Sequence, residues 1–335
     1  MKIAVLGAGT MGTTYVRNLA GMEDVQLVGV FDASHEAAER AAALGSTRGF
    51  TDFGELLRQT DPDLVCVCLP TYLHKEYVLK LAAAGKDIIC EKPLALSLED
   101  AEEMEEACAK AGVRLYVAHV LRFFPNYVDL KRRVDSGLVG AVKVARAKRY
   151  SSFPKGSGNW FADHAKSGGV ILDLMIHDFD FMRWTVGEVA SVYTLFRETD
   201  GKQIAYVTMK FDTGAIAQVS GFWGYAGPFM TYAELACDKG LLRLDNQARK
   251  SLELFQDQAA VQESERVQVP SLPTLRDPYY YELRHFIECR RKGTEPLITV
   301  GDAKQAVAIA LAAIESGRRN EPVEVPRIAN KGVLA

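Results

Sequence analysis

The sequence predicts an α/β protein of two domains: a doubly wound parallel sheet over residues 1–121, then an α+β domain with a large, mostly antiparallel open sheet over residues 122–335. Three observations carry this. Before residue 121, short and almost wholly apolar runs alternate with segments of helical spacing, the pattern of strands covered by helices on both faces. Beyond it, strand-like runs follow one another with short turns and no helix between them, the pattern of an antiparallel sheet. The length of 335 residues suits two domains.

Each element of the first half has a local reason. Lys2–Leu6 is a short apolar run, and helical spacing follows over Met11–Ala20. Gln26–Phe31 is a second apolar run, and Glu36–Leu44 is rich in the helix formers alanine and glutamate. Asp63–Leu69 is a continuous apolar strand closed by Pro70, and His74–Ala84 is a helix ended by Gly85. Asp87–Cys90 is the next strand, leading to Glu91-Lys92-Pro93. Ser97 caps the following helix, with Asp100 at its third position and Gly112 at its end, and Arg114–Val120 is the last strand.

In the second half, Ala141–Tyr150 reads as extended and Asp173–Thr185 as helix. Strands are expected over Val189–Phe196, Ile204–Phe211, Ala215–Phe222, Tyr232–Cys237 and Leu241–Leu244. Asp212-Thr213-Gly214 supplies a hairpin turn between two of them. Pro278–Lys292 and Asp302–Glu315 are closing helices.

Composition narrows the function. A formal net charge of −3 with no basic stripe argues against a nucleic-acid partner, and no apolar stretch is long enough to span a bilayer. The N-terminus runs straight into a glycine motif and reads as a first strand rather than a signal peptide, so the expected compartment is the cytoplasm. Six scattered cysteines form no C-x-x-C pair. Cys66 and Cys68 alternate within a strand and face one side, as reduced core thiols rather than metal ligands, and no metal site is expected.

Gly7-Ala8-Gly9-Thr10-Met11-Gly12 follows a strand and opens a helix. Such glycines permit a tight turn and let the backbone approach a pyrophosphate at the helix N-terminus. Asp32, twenty residues after Gly12 and at the end of the next strand, is placed to accept hydrogen bonds from ribose hydroxyls. Its charge repels a 2′-phosphate, which favours NAD over NADP as cofactor. Ligands of a doubly wound sheet sit beyond the carboxyl ends of its strands. Those ends hold Leu69, Pro70, Thr71 and His74, then Glu91 and Lys92, then His119 to Arg122. In the second domain, Asp173 and His177 are spaced i,i+4 among the apolar residues Leu172, Leu174, Met175 and Ile176, a polar pair with reason to face a cleft.

The glycine loop, the P-T-x-x-H segment and the E-K-P tripeptide resemble the Gfo/Idh/MocA family, the glucose–fructose oxidoreductase and inositol dehydrogenase family. Gly168-Gly169 … Asp173 … His177 resembles that family's second signature, so the resemblance spans both domains. It implies that Lys92 lies beside nicotinamide and substrate. Family members commonly carry Asn at the place of Thr71. Inositol dehydrogenases usually carry Asn-Arg-Arg near Val120-Leu121-Arg122-Phe123. By analogy with the family, a homodimer or homotetramer is expected.

The expected activity is NAD(P)-dependent oxidation of a secondary hydroxyl of a sugar, cyclitol or related polyol, with Lys92, Asp173 and His177 catalytic. A histidine of ordinary pKa suits proton exchange near neutrality, which favours His177 as base; a desolvated Lys92 is the alternative. His119, Arg122, Tyr150, Asn159 and Trp160 are candidate substrate contacts. NAD-assisted glycoside hydrolysis and a non-catalytic redox sensor are the competing readings.

Overall fold

A computed structural model describes residues 1–248, 252–256 and 276–328. The first half runs β1 (Lys2–Leu6), α1 (Thr10–Ala20), β2 (Gln26–Phe31), α2 (His35–Leu44), β3 (Gly49–Phe50), α3 (Phe53–Thr60), β4 (Leu64–Val67), α4 (Thr71–Ala83), β5 (Asp87–Glu91), α5 (Leu98–Ala111) and β6 (Leu115–Ala118). Its six strands pair in parallel, in the order β3-β2-β1-β4-β5-β6. Chain reversal between β1 and β4 opens a crevice at the carboxyl ends of the strands. Every residue of β4 is buried, because helices cover both faces of the sheet. Ser97 accepts from the Asp100 amide and Gly112 closes α5 in the left-handed region at φ +67°, as its place in the sequence predicts.

The chain leaves β6 through a 3-10 turn (Val120–Phe123) into α6 (Pro125–Asp135) and β7 (Val142–Ser151). Then come α7 (His164–Ser167), a π-helical segment (Val170–Leu174) and α8 (Ile176–Val186). The strands β8 (Val189–Thr199), β9 (Lys202–Phe211), β10 (Ile216–Trp223), β11 (Met230–Cys237), β12 (Gly240–Asp245) and β13 (Leu252–Gln256) precede α9 (Pro278–Lys292), α10 (Val300–Arg319) and β14 (Val323–Glu324). The second sheet is ordered β13-β12-β11-β7-β10-β9-β8-β14, antiparallel throughout except for the β7–β10 pair. Gly214, at φ +82°, turns the β9–β10 hairpin.

Two expectations are revised. The single helix expected over Asp173–Thr185 is a π segment followed by α8, with Asp173 in the former and His177 in the latter. The division at residue 121 is crossed on return: Leu283, Phe286, Ile287 and Cys289 of α9 complete the core over β1, β4 and α1. Cys66 and Cys68 join that same core, as their alternation requires, and burial pushes both thiols up.

Candidate active site

The glycine loop is held by its backbone. Gly7, at φ +95°, donates its amide to Phe31 O at 2.7 Å, and a Cβ there would meet Cys68 O at 2.4 Å. A Cβ on Gly12 would fall 1.7 Å from Gly7 O, so α1 could not approach β1. Gly9 is different: nothing lies within 4 Å of a Cβ added there, and no side chain caps α1. Thr10 and Met11 form its first turn, whose amides no side chain caps, a cradle suited to a pyrophosphate. Asp32 closes the loop from the side, accepting from Ala8 N at 2.8 Å and Ser34 N at 2.9 Å. These residues fit a bound NAD. Gly12→Ala should weaken NAD binding roughly 10–100-fold, since overpacking of about 1–3 kcal/mol falls on the loop that holds the ligand; isothermal titration would read it.

β5 delivers Glu91 and Lys92 to the same edge, and the Lys92–Pro93 peptide is cis. Lys92 Nζ donates to the Asp173 carbonyl oxygen at 2.9 Å and lies 3.5 Å from Asp173 Oδ1. Both side chains are about 15 % exposed, so they meet at the mouth of the cleft, at the join of the two halves. The positive-φ glycines Gly168 and Gly169 turn the chain into the π segment that presents Asp173; a Cβ on Gly168 would meet Leu172 at 2.4 Å. His177 follows one turn later in α8, with its Nδ1 buried and without a partner among the described residues. Burial first, then the charges of Lys92 and Arg149, hold its pKa well below the usual histidine value.

Other expected contacts have different places. His74 is buried, with Nδ1 3.0 Å from Pro93 O and Nε2 2.9 Å from Leu69 O. Its ring ties the Leu69-Pro70-Thr71 turn to the Glu91-Lys92-Pro93 turn from beneath instead of facing the cleft. Glu91 also turns inward: its Oε2 accepts from the Lys92 amide at 3.2 Å, and burial raises its pKa although Lys92 opposes this. Arg122 makes a two-pronged ion pair with Asp180, at 3.0 and 2.6 Å, and donates to Leu297 O at 3.1 Å. It is a buried clamp and not a substrate contact, because all three arms of its guanidinium are spent inside.

Tyr150 is also removed from the cleft, by strand alternation. Its neighbour Arg149 faces inward to Asp178 of α8, so Tyr150 points to the outer face, where its hydroxyl lies 2.9 Å from Ser220 Oγ. Asn159, at φ +52°, sits in the loop before α7, and Trp160 stacks on Phe161 with ring centroids 3.8 Å apart. Trp160 reaches within 6.4 Å of the Tyr72 ring at the start of α4, an aromatic rim across the two halves. His119 is 1 % exposed and follows β6 beside Lys92. Among the described residues no three-ligand metal cluster occurs.

Two residues that matter here escape a reading of the sequence alone. Arg149 fixes Asp178, the residue after His177; alternation in β7 put it on the inner face, but only the sheet's orientation shows which face that is. Tyr72 is the second, and its adjacency to Pro70 and Thr71 was the available signal.

The family model described as "Oxidoreductase family, NAD-binding Rossmann fold" matches residues 1–119, and the GFO/IDH/MocA C-terminal domain matches residues 127–243. The chain is 31% identical to myo-inositol 2-dehydrogenase of Thermotoga maritima, over 98% of this chain and 99% of that one. It is equally 31% identical to scyllo-inositol 2-dehydrogenase (NAD(+)) of Bacillus subtilis, over 97% and 96% of the two chains. Among solved structures, GenD2 from gentamicin A biosynthesis in complex with NAD superposes with a TM-score of 0.86 at 25% identity, over 97% of this chain and 96% of that chain.

Proposed function

Given that the chain belongs to the Gfo/Idh/MocA family of oxidoreductases, we propose that it is an NAD-dependent dehydrogenase that oxidises a secondary hydroxyl of a sugar, cyclitol or related polyol. The observation that carries this reading is the meeting of Lys92, Asp173 and His177 at the edge where the glycine loop and Asp32 also end. When bound, NAD supplies the hydride acceptor.

The chain's own residues do the rest. His177 takes the hydroxyl proton: its buried, cation-flanked ring is neutral at neutral pH, with Nε2 as the nitrogen for substrate. Lys92 donates to the reacting oxygen and favours the developing alkoxide. Asp173 fixes Lys92 through its carbonyl and carboxylate and hydrogen-bonds a substrate hydroxyl. Trp160 and Tyr72 wall the rim, where sugar rings present apolar faces.

His177 stays unprotonated, and so competent as base, below the usual histidine value of about 6.5. The acid limb of kcat/KM should therefore fall clearly below that pH; a limb at or above it would remove His177 as the base. The proposal is tested by nicotinamide absorbance with NAD⁺ and a panel of inositols, aldoses and sugar acids. NADH formed with one polyol supports it; tight NAD binding without oxidation of any member counts against it.

We assign the protein to the cytoplasm on its six free thiols, and a homodimer or homotetramer on the outer face of the second sheet. There Val144, Leu195, Tyr206 and Ile216 are 44–57% exposed and share the face of the sheet turned away from α8. Sedimentation velocity should give a dimer or tetramer.

A further inference from the structure

We propose that His119 is a positioning residue for His177: through one bridging water it accepts a hydrogen bond from the His177 Nδ1–H, and so fixes the tautomer that leaves Nε2 free as the base. The inference rests on the dehydrogenase reading for its consequence, but the juxtaposition stands by itself.

Strand register places the first histidine. Glu91 pairs with Ala118 across β5 and β6, so the next residues, Lys92 and His119, leave adjacent parallel strands side by side. An ion pair places the second. Arg122, three residues after His119, clamps Asp180, three residues after His177. The 3-10 turn is thereby pinned to α8, and His119 is among the groups whose charge is felt at His177.

Neither ring has a competing partner. His119 is 1 % exposed, and both of its nitrogens lack a hydrogen-bond partner among the described residues. His177 Nδ1 is buried and equally unpartnered. A buried polar nitrogen without a partner is costly, and three of them on two elements joined by the Arg122–Asp180 pair point to a shared network. A neutral imidazole has one N–H and one lone pair, and the bond made by one nitrogen decides which form the other takes. For Nε2 of His177 to be the lone pair that receives a proton, Nδ1 must carry hydrogen and needs an acceptor.

The charged groups around His119 come from four elements: Lys92 after β5, Arg122 in its own turn, Asp180 of α8 and Asp302 of α10. Arg122 is already bonded to Asp180, and Asp302 takes Arg183 at 2.6 Å, so neither carboxylate is left to serve His177. Burial, the largest influence, holds His119 in its neutral form, which has a lone pair to offer.

The test is histidine ¹⁵N NMR of the full-length protein, alongside steady-state kinetics, on His119→Phe and His119→Gln. Wild-type His177 should carry its proton on Nδ1. His119→Phe should shift it toward the Nε2–H form and lower kcat about 10–100-fold, the usual effect of losing such an orienting partner, with unchanged KM for the polyol and unchanged Kd for NAD. His119→Gln, which keeps an acceptor, should recover much of both. Three results would overturn the proposal: an unchanged His177 tautomer in His119→Phe, a change confined to KM (a substrate contact), or a change confined to NAD affinity (a cofactor contact). The NMR reading needs no turnover, so a wild-type protein that oxidises no polyol would sink the dehydrogenase reading without deciding this one.

Discussion

Lys92→Ala should lower kcat by about 10²–10³-fold while NAD binds nearly as before, because the lysine's work lies in the transition state. Its ammonium is held at 2.9 Å from the Asp173 carbonyl and 3.5 Å from Oδ1, so its direction is set before substrate arrives. A donor fixed in this way costs little reorganisation when charge develops on the substrate oxygen. The pair is only about 15 % exposed, which strengthens the interaction relative to one in water. Lys92→Arg should not rescue: the planar fork has a different reach and hydrogen-bond geometry from the compact ammonium. Stopped-flow absorbance separates the chemical step from binding. An alanine variant that changed KM alone, with kcat intact, would show that Lys92 only binds.

Arg149→Met should destabilise the fold by about 3–5 kcal/mol, a large share of the roughly 5–15 kcal/mol typical of a domain. Arg149 meets Asp178 through two bonds of 2.8 and 2.9 Å, and the side chains are 5% and 1% exposed. Removing the guanidinium leaves an unpaired carboxylate inside the core, at the residue after His177. Replacing both partners at once, Arg149→Met with Asp178→Leu, should restore most of the loss, since the desolvation cost of each charge disappears with it. Urea unfolding of the two single variants and the double variant measures this. Additive losses in the double variant would mean that the pair itself is not the source of the effect.

What the sequence made legible follows from where its signals are local. The Gly7–Gly12 loop, the Ser97 cap and the Gly112 stop are set by a few adjacent residues, and each stands where expected. The Lys92–Asp173 meeting was legible only as two separate motifs, because 81 residues separate them and the sheet's packing brings them together. Helix α6 carried its signal, with Pro125 in the first turn and Tyr127 and Leu130 buried on one face, but a polar mean composition hid it. Strand β3 is two residues long, too short for any periodicity. His74 in α4, Arg122 in the 3-10 turn after β6 and Tyr150 near the end of β7 share one difficulty: a polar residue near the carboxyl edge of a sheet can face the cleft or the interior, and spacing does not distinguish them. The partners decide. For His74 they are carbonyl oxygens of two loops, for Arg122 a buried carboxylate, and for Tyr150 the outer face of the sheet.

In the proposed reaction, a hydride passes in this cleft from a polyol carbon to the cofactor. The most direct measurement uses the active polyol deuterated at the carbon to be oxidised, with mass spectrometry of the nicotinamide product. One deuterium per NADH formed, matched by one equivalent of keto product, with both formed about 10²–10³-fold more slowly in Lys92→Ala, is the expected outcome. Product formed from the sugar with no deuterium in the nicotinamide and no net NADH would rule out net hydride transfer and favour cleavage chemistry instead.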